Sequence, residues 1–372
     1  MIIGVPREIK ESETRVALTP TGVSTLIRNG HTVLVEKNAG LLSGFTDRQY
    51  RDSGATILPQ VVKIWKMAHM IVKVKEPLPS EFKHFRPGLI LMTYLHLAGV
   101  PVVARALCQR QMTAIGYETV ERADGEHPLL SPMSAVAGRM ATQIGAQLLH
   151  RGIYGGKGLL LGGVSTTRRG TATVIGGGVV GVNAAEVAVG LGAETVLIEA
   201  NPERARRLRE RFMDKALVLE AGTDNVATWV KKSDLVVGAV LVSADKAPKV
   251  VTKRMVQSME AGSVVIDVAI DQGGCMEPAR PTTHRKPTYL KYGVLHYCVP
   301  NMPALTPQTS TEALTTATFP YIMNIAMHGL EGAMQQDVTL GRGLQCKGGK
   351  IVHPVIARLF RSLAAPGLLQ AA

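Results

Sequence analysis

The sequence predicts an α/β protein of two Rossmann-like, doubly wound parallel-sheet domains, with an active-site cleft between them. Three observations predict it. At 372 residues the chain is longer than one compact core serves well. Short apolar runs alternate with amphipathic stretches in two separate regions, the pattern of parallel βαβ units. The 38 glycines suit many tight strand-to-helix turns better than they suit a helical bundle.

In the first third, the strand candidates are MIIGVP, TVLVEK, MIVKVK, LILMTYL and TAIGYETV. Amphipathic stretches separate them, such as TPTGVSTLIRNG, which stops at Gly30 as helices often do. The polar, turn-rich segment from Val120 to Met133 reads as a boundary. A helix is expected from Ser134 as N-cap, with Val136, Met140, Ile144 and Leu148 stacked along it. The second alternation runs from Thr171 to about Val299, with strands TATVIG, ETVLIEA, ALVLE, DLVVGAVL, SVVIDVAI and VLHYCV. The following TSTEALTTATFPYIMNIAM reads as a helix opened by a capping box, Thr309 to Glu312, and kinked at Pro320. The tail offers no strand run until its end, so it is expected to cross back onto the first domain. The expected domains are 1–129 with 308–372, for substrate, and 130–307, for a nucleotide.

Composition narrows the function. No apolar run approaches the ~18–20 residues that cross a bilayer, and the opening MIIGVPRE lacks the parts of a signal peptide. A cytoplasmic protein is expected. Cys108, Cys275, Cys298 and Cys346 show no CxxC pair or metal-finger spacing, which suits a reducing compartment. The net charge of +13 invites a nucleic-acid reading. Yet the densest basic run, RARRLRERF, carries Glu210, Leu208 and Phe212 at helical spacing, as a solvated helix face does. A small acidic ligand fits the charge better than nucleic acid.

The most specific stretch is VIGGGVVGVNAAEVAVGLGAETVLIEANPERA. Gly176, Gly178, Val179 and Gly181 form a GxGxxG turn after a strand and at the opening of a helix. There the glycines permit a tight turn, close approach of a pyrophosphate and tight helix–sheet packing, while the helix N-terminus offers free N–H groups. Glu199 closes the next strand, where an acid accepts both ribose hydroxyls and repels a 2′-phosphate. That favours NAD over NADP, although Arg204, Arg206 and Arg207 follow closely. YGGKGLL is not a phosphate loop, because Gly158 stands where Ser or Thr is needed.

Ligands of open parallel sheets bind beyond the carboxyl ends of the strands. Lys75, His96, Asp271 and Asn301 all lie at such ends, and Arg15 lies on the same side of the first sheet. Each has a plainer reading. Lys73 and Lys75 would share a face of a half-wet edge strand, His96 would be a core histidine, Asp271 a turn aspartate, and Arg15 a partner of Glu11 or Glu13. Together they suit a small oxo acid: arginine grips a carboxylate, lysine polarises a keto oxygen, and histidine exchanges the proton that accompanies hydride transfer.

These blocks, with MIIGVPREIKESETRVALTP, MIVKVKEPLP, TYLHLA, PMSAVAGRMATQIGA, VIDVAIDQGG, HYCVPNMP and TSTEAL, resemble the alanine dehydrogenases along nearly the whole chain. The resemblance implies reversible, NAD-dependent interconversion of L-alanine with pyruvate and ammonium, in a homohexamer without a membrane partner. It implies that Arg15 and Lys75 bind the substrate, with Asn301 beside them, and that His96 and Asp271 are catalytic. Cofactor contacts would fall to Ser134, Glu199, Arg204, Val240, Leu241, Val268, Ala269, Ile270, Asp271, Arg280, Val299, Pro300, Asn301 and Met302. Some relatives hold a metal where Asn324 and His328 stand, with a glutamate first; Asn324 implies no metal here. The chain departs from the family pattern at Ala135, at Ser165 to Arg169, at Ala221 and at Gln308. Transhydrogenase α subunits share the N-terminal pattern, but the TYLHLA histidine favours the dehydrogenases. The alternatives are a non-catalytic NAD(H)-binding relative and a dehydrogenase of another small 2-oxo acid.

Overall fold

The computed structural model describes all residues except 153, 241–246 and 369–372. In chain order, the first strands are β1 (Ile2–Val5), β2 (Thr32–Glu36), β3 (Thr56–Leu58), β4 (Met70–Val72), β5 (Ile90–Thr93) and β6 (Thr113–Gly116). Then come β7 (Thr171–Ile175), β8 (Glu194–Glu199), β9 (Leu217–Glu220), β10 (Leu235–Gly238), β11 (Val264–Asp267), β12 (Thr288–Lys291) and β13 (Val294–Tyr297). The tail adds β14 (Leu344–Lys347) and β15 (Lys350–Ile351).

The chain divides into two compact units, Met1–Met133 with Ala304–Ala372, and Ser134–Pro303. These junctions lie four residues inside the expected nucleotide segment at each end. At the first, Met133 Sδ accepts from Arg15 Nη1 at 3.0 Å; at the second, Thr14 donates its hydroxyl to the Ala304 carbonyl at 2.5 Å. Both contacts tie the flanking residues to the first unit.

In the first unit the strand order is β15-β14-β6-β5-β4-β1-β2-β3. β1 to β6 are mutually parallel, whereas β14 runs antiparallel to β6. In the second unit the order is β12-β13-β11-β10-β7-β8-β9, parallel but for the antiparallel edge strand β12. Each sheet therefore has its first strand near the middle and a reversal of strand order beside it, between β1 and β4 and between β7 and β10. The central strands are near-continuous buried runs, as parallel strands covered on both faces must be.

Several local expectations change. Strands β3, β12, β14 and β15 have two to four residues each, too few for an alternating pattern to declare itself. The SVVIDVAI strand stops at Asp267, because that carboxylate accepts the Ala269 N–H and folds Val268–Gln272 into a 3₁₀ turn. Asp271 thus stands on a turn, four residues past the strand end. Ser134 is no N-cap: its helix runs Ser131–Leu148 and begins three residues earlier. The Thr309–Glu312 box does not open the later helix, which starts at Pro307, a residue whose missing N–H costs nothing at that position. Pro320 stays inside that helix, and the break falls at Gly329, whose φ of 69° is accessible mainly to glycine.

The departure at Ser165 to Arg169 has a structural counterpart. Arg168 grips Asp234, at the foot of β10, with two bonds of 2.8 and 2.9 Å, and Lys157 reaches the same carboxylate at 2.5 Å. Burial pushes the Asp234 carboxyl up, and these cations more than reverse it.

His296 on β13 is buried, with Nδ1 3.0 Å from the Val294 carbonyl and its ring stacked on Tyr289 at 4.8 Å. Burial lowers its pKa from 6.5 to about 4. The unfolded chain therefore takes up a proton first as pH falls, so stability is full above pH 6.5 and is lost toward pH 4. The full loss is about 3 kcal/mol. Urea midpoints measured from pH 7 to 4 should fall less steeply for His296→Phe than for the native chain; equal slopes would refute a neutral buried imidazole.

Candidate active site

In the first unit, the carboxyl ends of β1, β4, β5 and β6 lie side by side. The loop after β1 carries Glu8, Glu13 and Arg15. Arg15 is buried, and its Nε and Nη2 donate to the two Glu13 oxygens at 2.7 and 2.6 Å. Burial alone would depress the guanidinium, but the Glu13 carboxylate holds it above its ordinary value. The plainer pairing with Glu13 is thus real, and it fixes the orientation of the arginine.

After β4 the two lysines part company. Lys73 is 1% exposed, neither solvent-facing nor near a wet edge, and its ammonium lies 3.2 Å from Glu8 and 3.0 Å from Glu81. Burial disfavours its charge, and the two carboxylates outweigh that and raise its pKa. The same acids hold the neighbouring backbone: Glu8 accepts the Val74 N–H at 2.6 Å, and Glu81 the Leu78 N–H at 2.8 Å. Lys10 pairs with Glu76. Lys75, half-buried, therefore stands on a segment pinned on both sides.

Its Nζ lies 6.0 Å from the centroid of Tyr94, the first residue beyond β5. The His96 ring stacks on the same tyrosine at 5.7 Å and 6°. Tyr117 meets Tyr94 edge-on at 5.1 Å, and the Tyr94 hydroxyl donates to the Leu129 carbonyl at 2.5 Å. Tyr94 thus gathers Lys75 and His96 around one locked ring, and burial keeps its phenol protonated by raising its pKa. His96 itself is exposed, with a left-handed backbone of φ 47°.

In the second unit, the GxGxxG turn joins β7 to the helix Val179–Gly190. Gly176 has φ 101°, and a Cβ there would lie 2.6 Å from the Ala239 carbonyl oxygen, on the far side of the strand reversal. A Cβ on Gly181 would lie 1.7 Å from the Gly176 oxygen, whereas one on Gly178 meets nothing within 4 Å. The space over Gly178, next to a helix N-terminus, is what a pyrophosphate requires. Buried Glu199 accepts the Gly177 and Asn201 N–H groups, both at 2.7 Å, and Arg204 approaches it at 3.4 Å. Arg204 Nη1 donates to both oxygens at a long 3.4 Å, so a ribose hydroxyl would take the place of that weak contact. The residues fit a dinucleotide.

The remaining expected contacts divide by exposure. Arg280 is exposed and stacks over Tyr289 at 4.4 Å, Asp271 is exposed, and Ser134, Val240, Val268, Pro300 and half-buried Asn301 (φ 58°) are partly accessible. Ala269, Ile270, Val299 and Met302 are buried, so their side chains serve the core and only their backbone is left for a ligand. Leu241 lies outside the described residues. The turn that bears Asp271 is cinched from two sides. Asp267 accepts the N–H groups of Ala269, Cys275 and Met276, and Lys249 donates to the carbonyls of Gly273, Gly274 and Met276. Among the described residues no group of three or more His, Cys, Asp or Glu side chains is arranged to hold a metal. Asn324 instead turns toward the Ala333 carbonyl at 3.5 Å.

Sequence comparison decides the family. Residues 4–137 match the model of the alanine dehydrogenase/PNT N-terminal domain, and residues 141–354 that of the C-terminal domain. The chain belongs to the alanine dehydrogenase/PNT family. It is 52% identical to an alanine dehydrogenase of Bacillus subtilis over 96% of this chain and 94% of that one. It is 50% identical to one of Geobacillus stearothermophilus, over 96% of each. Among solved structures, an L-alanine dehydrogenase superposes with a TM-score of 0.95 at 45% identity, covering 98% of this chain and all of that one. A transhydrogenase from Sinorhizobium meliloti, 24% identical, shares the fold with a TM-score of 0.83 over 95% of this chain and all of that one. Tyr94, Glu118, Lys249 and Asp267 were not expected from the sequence; of these, only Asp267, ending an apolar strand, carried a local signal.

Proposed function

We propose that the protein is an L-alanine dehydrogenase that interconverts L-alanine with pyruvate and ammonium using NAD. The observation that carries this is the grouping of Lys75 and His96 against one locked tyrosine ring at the carboxyl ends of neighbouring strands. It is a cation and a proton carrier placed together, which oxo-acid chemistry needs. Arg15, oriented by Glu13, binds the substrate carboxylate through its Nη1–Nη2 end. Lys75 holds a carboxylate oxygen and polarises the keto oxygen, with Asn301 contributing to substrate binding.

Held by the Gly176–Gly181 turn and Glu199, NAD would supply the hydride acceptor for the substrate Cα, and NADH the donor in reverse. In deamination His96 accepts the proton released as water adds to the imine carbon, and returns it to the departing nitrogen. Asp271 attracts the ammonium or iminium and steadies its positive charge. Glu199 selects NAD by accepting the ribose hydroxyls. The first unit takes the substrate role and the second the nucleotide role. Among the described residues no helix is long and apolar enough to cross a membrane. Four free, buried cysteines support a cytoplasmic setting, and family membership supports a homohexamer.

The test follows NADH absorbance in the presence of pyruvate and ammonium. The native chain should consume NADH only when ammonium is present, and Asp271→Asn should lower kcat at least about 10²-fold. A folded native protein that binds NADH without turnover on pyruvate would overturn the assignment.

A further inference from the structure

The backbone at His96 is held in an unfavourable conformation by something, and Glu118 supplies the means. A φ of 47° is costly for a histidine and persists only where surrounding contacts impose it. The Leu95 and His96 N–H groups point in succession at one carboxylate, donating to Glu118 Oε2 at 3.1 Å and Oε1 at 2.8 Å. Two consecutive amides aimed at one anion form a small anion-binding nest. Glu118 belongs to the 3₁₀ turn Tyr117–Thr119 directly after β6, the neighbour of β5.

The carboxylate is itself fixed from the far end of the chain. Buried Gln345, on β14, donates from Nε2 to Glu118 Oε1 at 2.9 Å and to the Thr119 hydroxyl at 3.0 Å. Gly116 makes the meeting possible, because a Cβ there would lie 1.9 Å from Gln345 Nε2 and 3.0 Å from Glu118 Oε1.

We propose that Glu118 is a positioning residue for His96, acting through the backbone of residues 95 and 96, and that Gln345 locks Glu118 in place. The proposal rests on the reading of His96 as proton carrier. Glutamine at 118 would keep one acceptor but turn an N–H₂ toward the second amide, donor against donor. The left-handed turn then relaxes, and the imidazole leaves the geometry in which it meets the substrate. The lost negative charge also ceases to favour the imidazolium, so the pH limb of kcat that belongs to the histidine moves to lower pH.

Steady-state kinetics across pH, together with NADH titrations, would be measured for Glu118→Gln, Gln345→Ala, the double variant and His96→Ala. Glu118→Gln should lower kcat about 10²-fold, with the pyruvate KM and NADH Kd within about twofold and the limb shifted down. Gln345→Ala, which keeps the carboxylate, should lower kcat about tenfold with KM, Kd and the limb unmoved, and the double variant should be no worse than Glu118→Gln alone, since both act through one carboxylate. For Glu118→Gln, unchanged kcat, an unmoved limb or a loss confined to KM would overturn the proposal, and so would strict additivity in the double variant. Should Glu118→Gln fail to fold, Gln345→Ala decides by the kcat and KM criteria. His96→Ala that keeps its turnover sinks the site reading and this proposal together. An inactive His96→Ala beside an unaffected Glu118→Gln sinks this proposal alone.

Discussion

Replacing His96 by alanine should lower kcat for NADH oxidation with pyruvate and ammonium by about 10²–10⁴-fold, while NADH still binds. The size follows from what the imidazole does and what surrounds it. Its ring stacks on Tyr94, whose hydroxyl is anchored on Leu129, so the tyrosine cannot swing in to take the proton. Tyr94 itself is no substitute, because burial raises its phenol pKa further above the working range. Lys75 survives the substitution, and the substrate KM should therefore change far less than kcat. A loss confined to 1/KM, with kcat unchanged, would mean that His96 binds the substrate and carries no proton. Added imidazole restoring part of the rate would point the other way.

Gly181→Ala should abolish NADH binding and destabilise the second unit by about 3–5 kcal/mol, the range of severe overpacking. The new methyl would lie 1.7 Å from the Gly176 oxygen, a backbone atom of the tight turn that leads into the same helix. Gly178→Ala separates the two effects. Its methyl meets nothing within 4 Å and φ is −74°, so the fold should lose less than about 1 kcal/mol. NADH affinity should still fall at least about tenfold, because that methyl enters the space proposed for the pyrophosphate. Fluorescence titration with thermal melts reads both quantities. A Gly178→Ala protein that binds NADH normally would remove the dinucleotide from this turn.

The sequence disclosed most where one short segment carries the whole signal. VIGGGVVG announces strand, turn and helix within a few residues, and the turn forms with those glycines in the places assigned to them. The long apolar strands were equally plain, since burial on both faces leaves continuous runs of Val, Ile and Leu. Contacts between distant segments were not legible. Glu118 and Gln345 are 227 positions apart, and neither has an unusual neighbourhood in sequence. Lys73 and Lys75 differ by two residues and look interchangeable. Only the arrival of Glu8 and Glu81 makes one a buried structural charge and leaves the other beside Tyr94. Helix starts shifted for a local reason: Ser134 and Thr309 are good caps in isolation, but Pro132 and Pro307, each in a first turn, suit the earlier starts that the helices take.

The pairing of β14 with β6 has a consequence for how the chain is made. A ribosome releases residues 134–303 as a complete folding unit while the sheet begun by β1 to β6 still waits for its last partners. At ordinary elongation speeds that wait lasts roughly 10–50 s. Throughout it the nascent polypeptide displays an unpaired strand edge, the kind of surface that recruits chaperones or seeds aggregation. Products cut short before β14 would keep that edge permanently. They would also lack Gln345, so one late strand both seals the sheet and completes the support beneath His96.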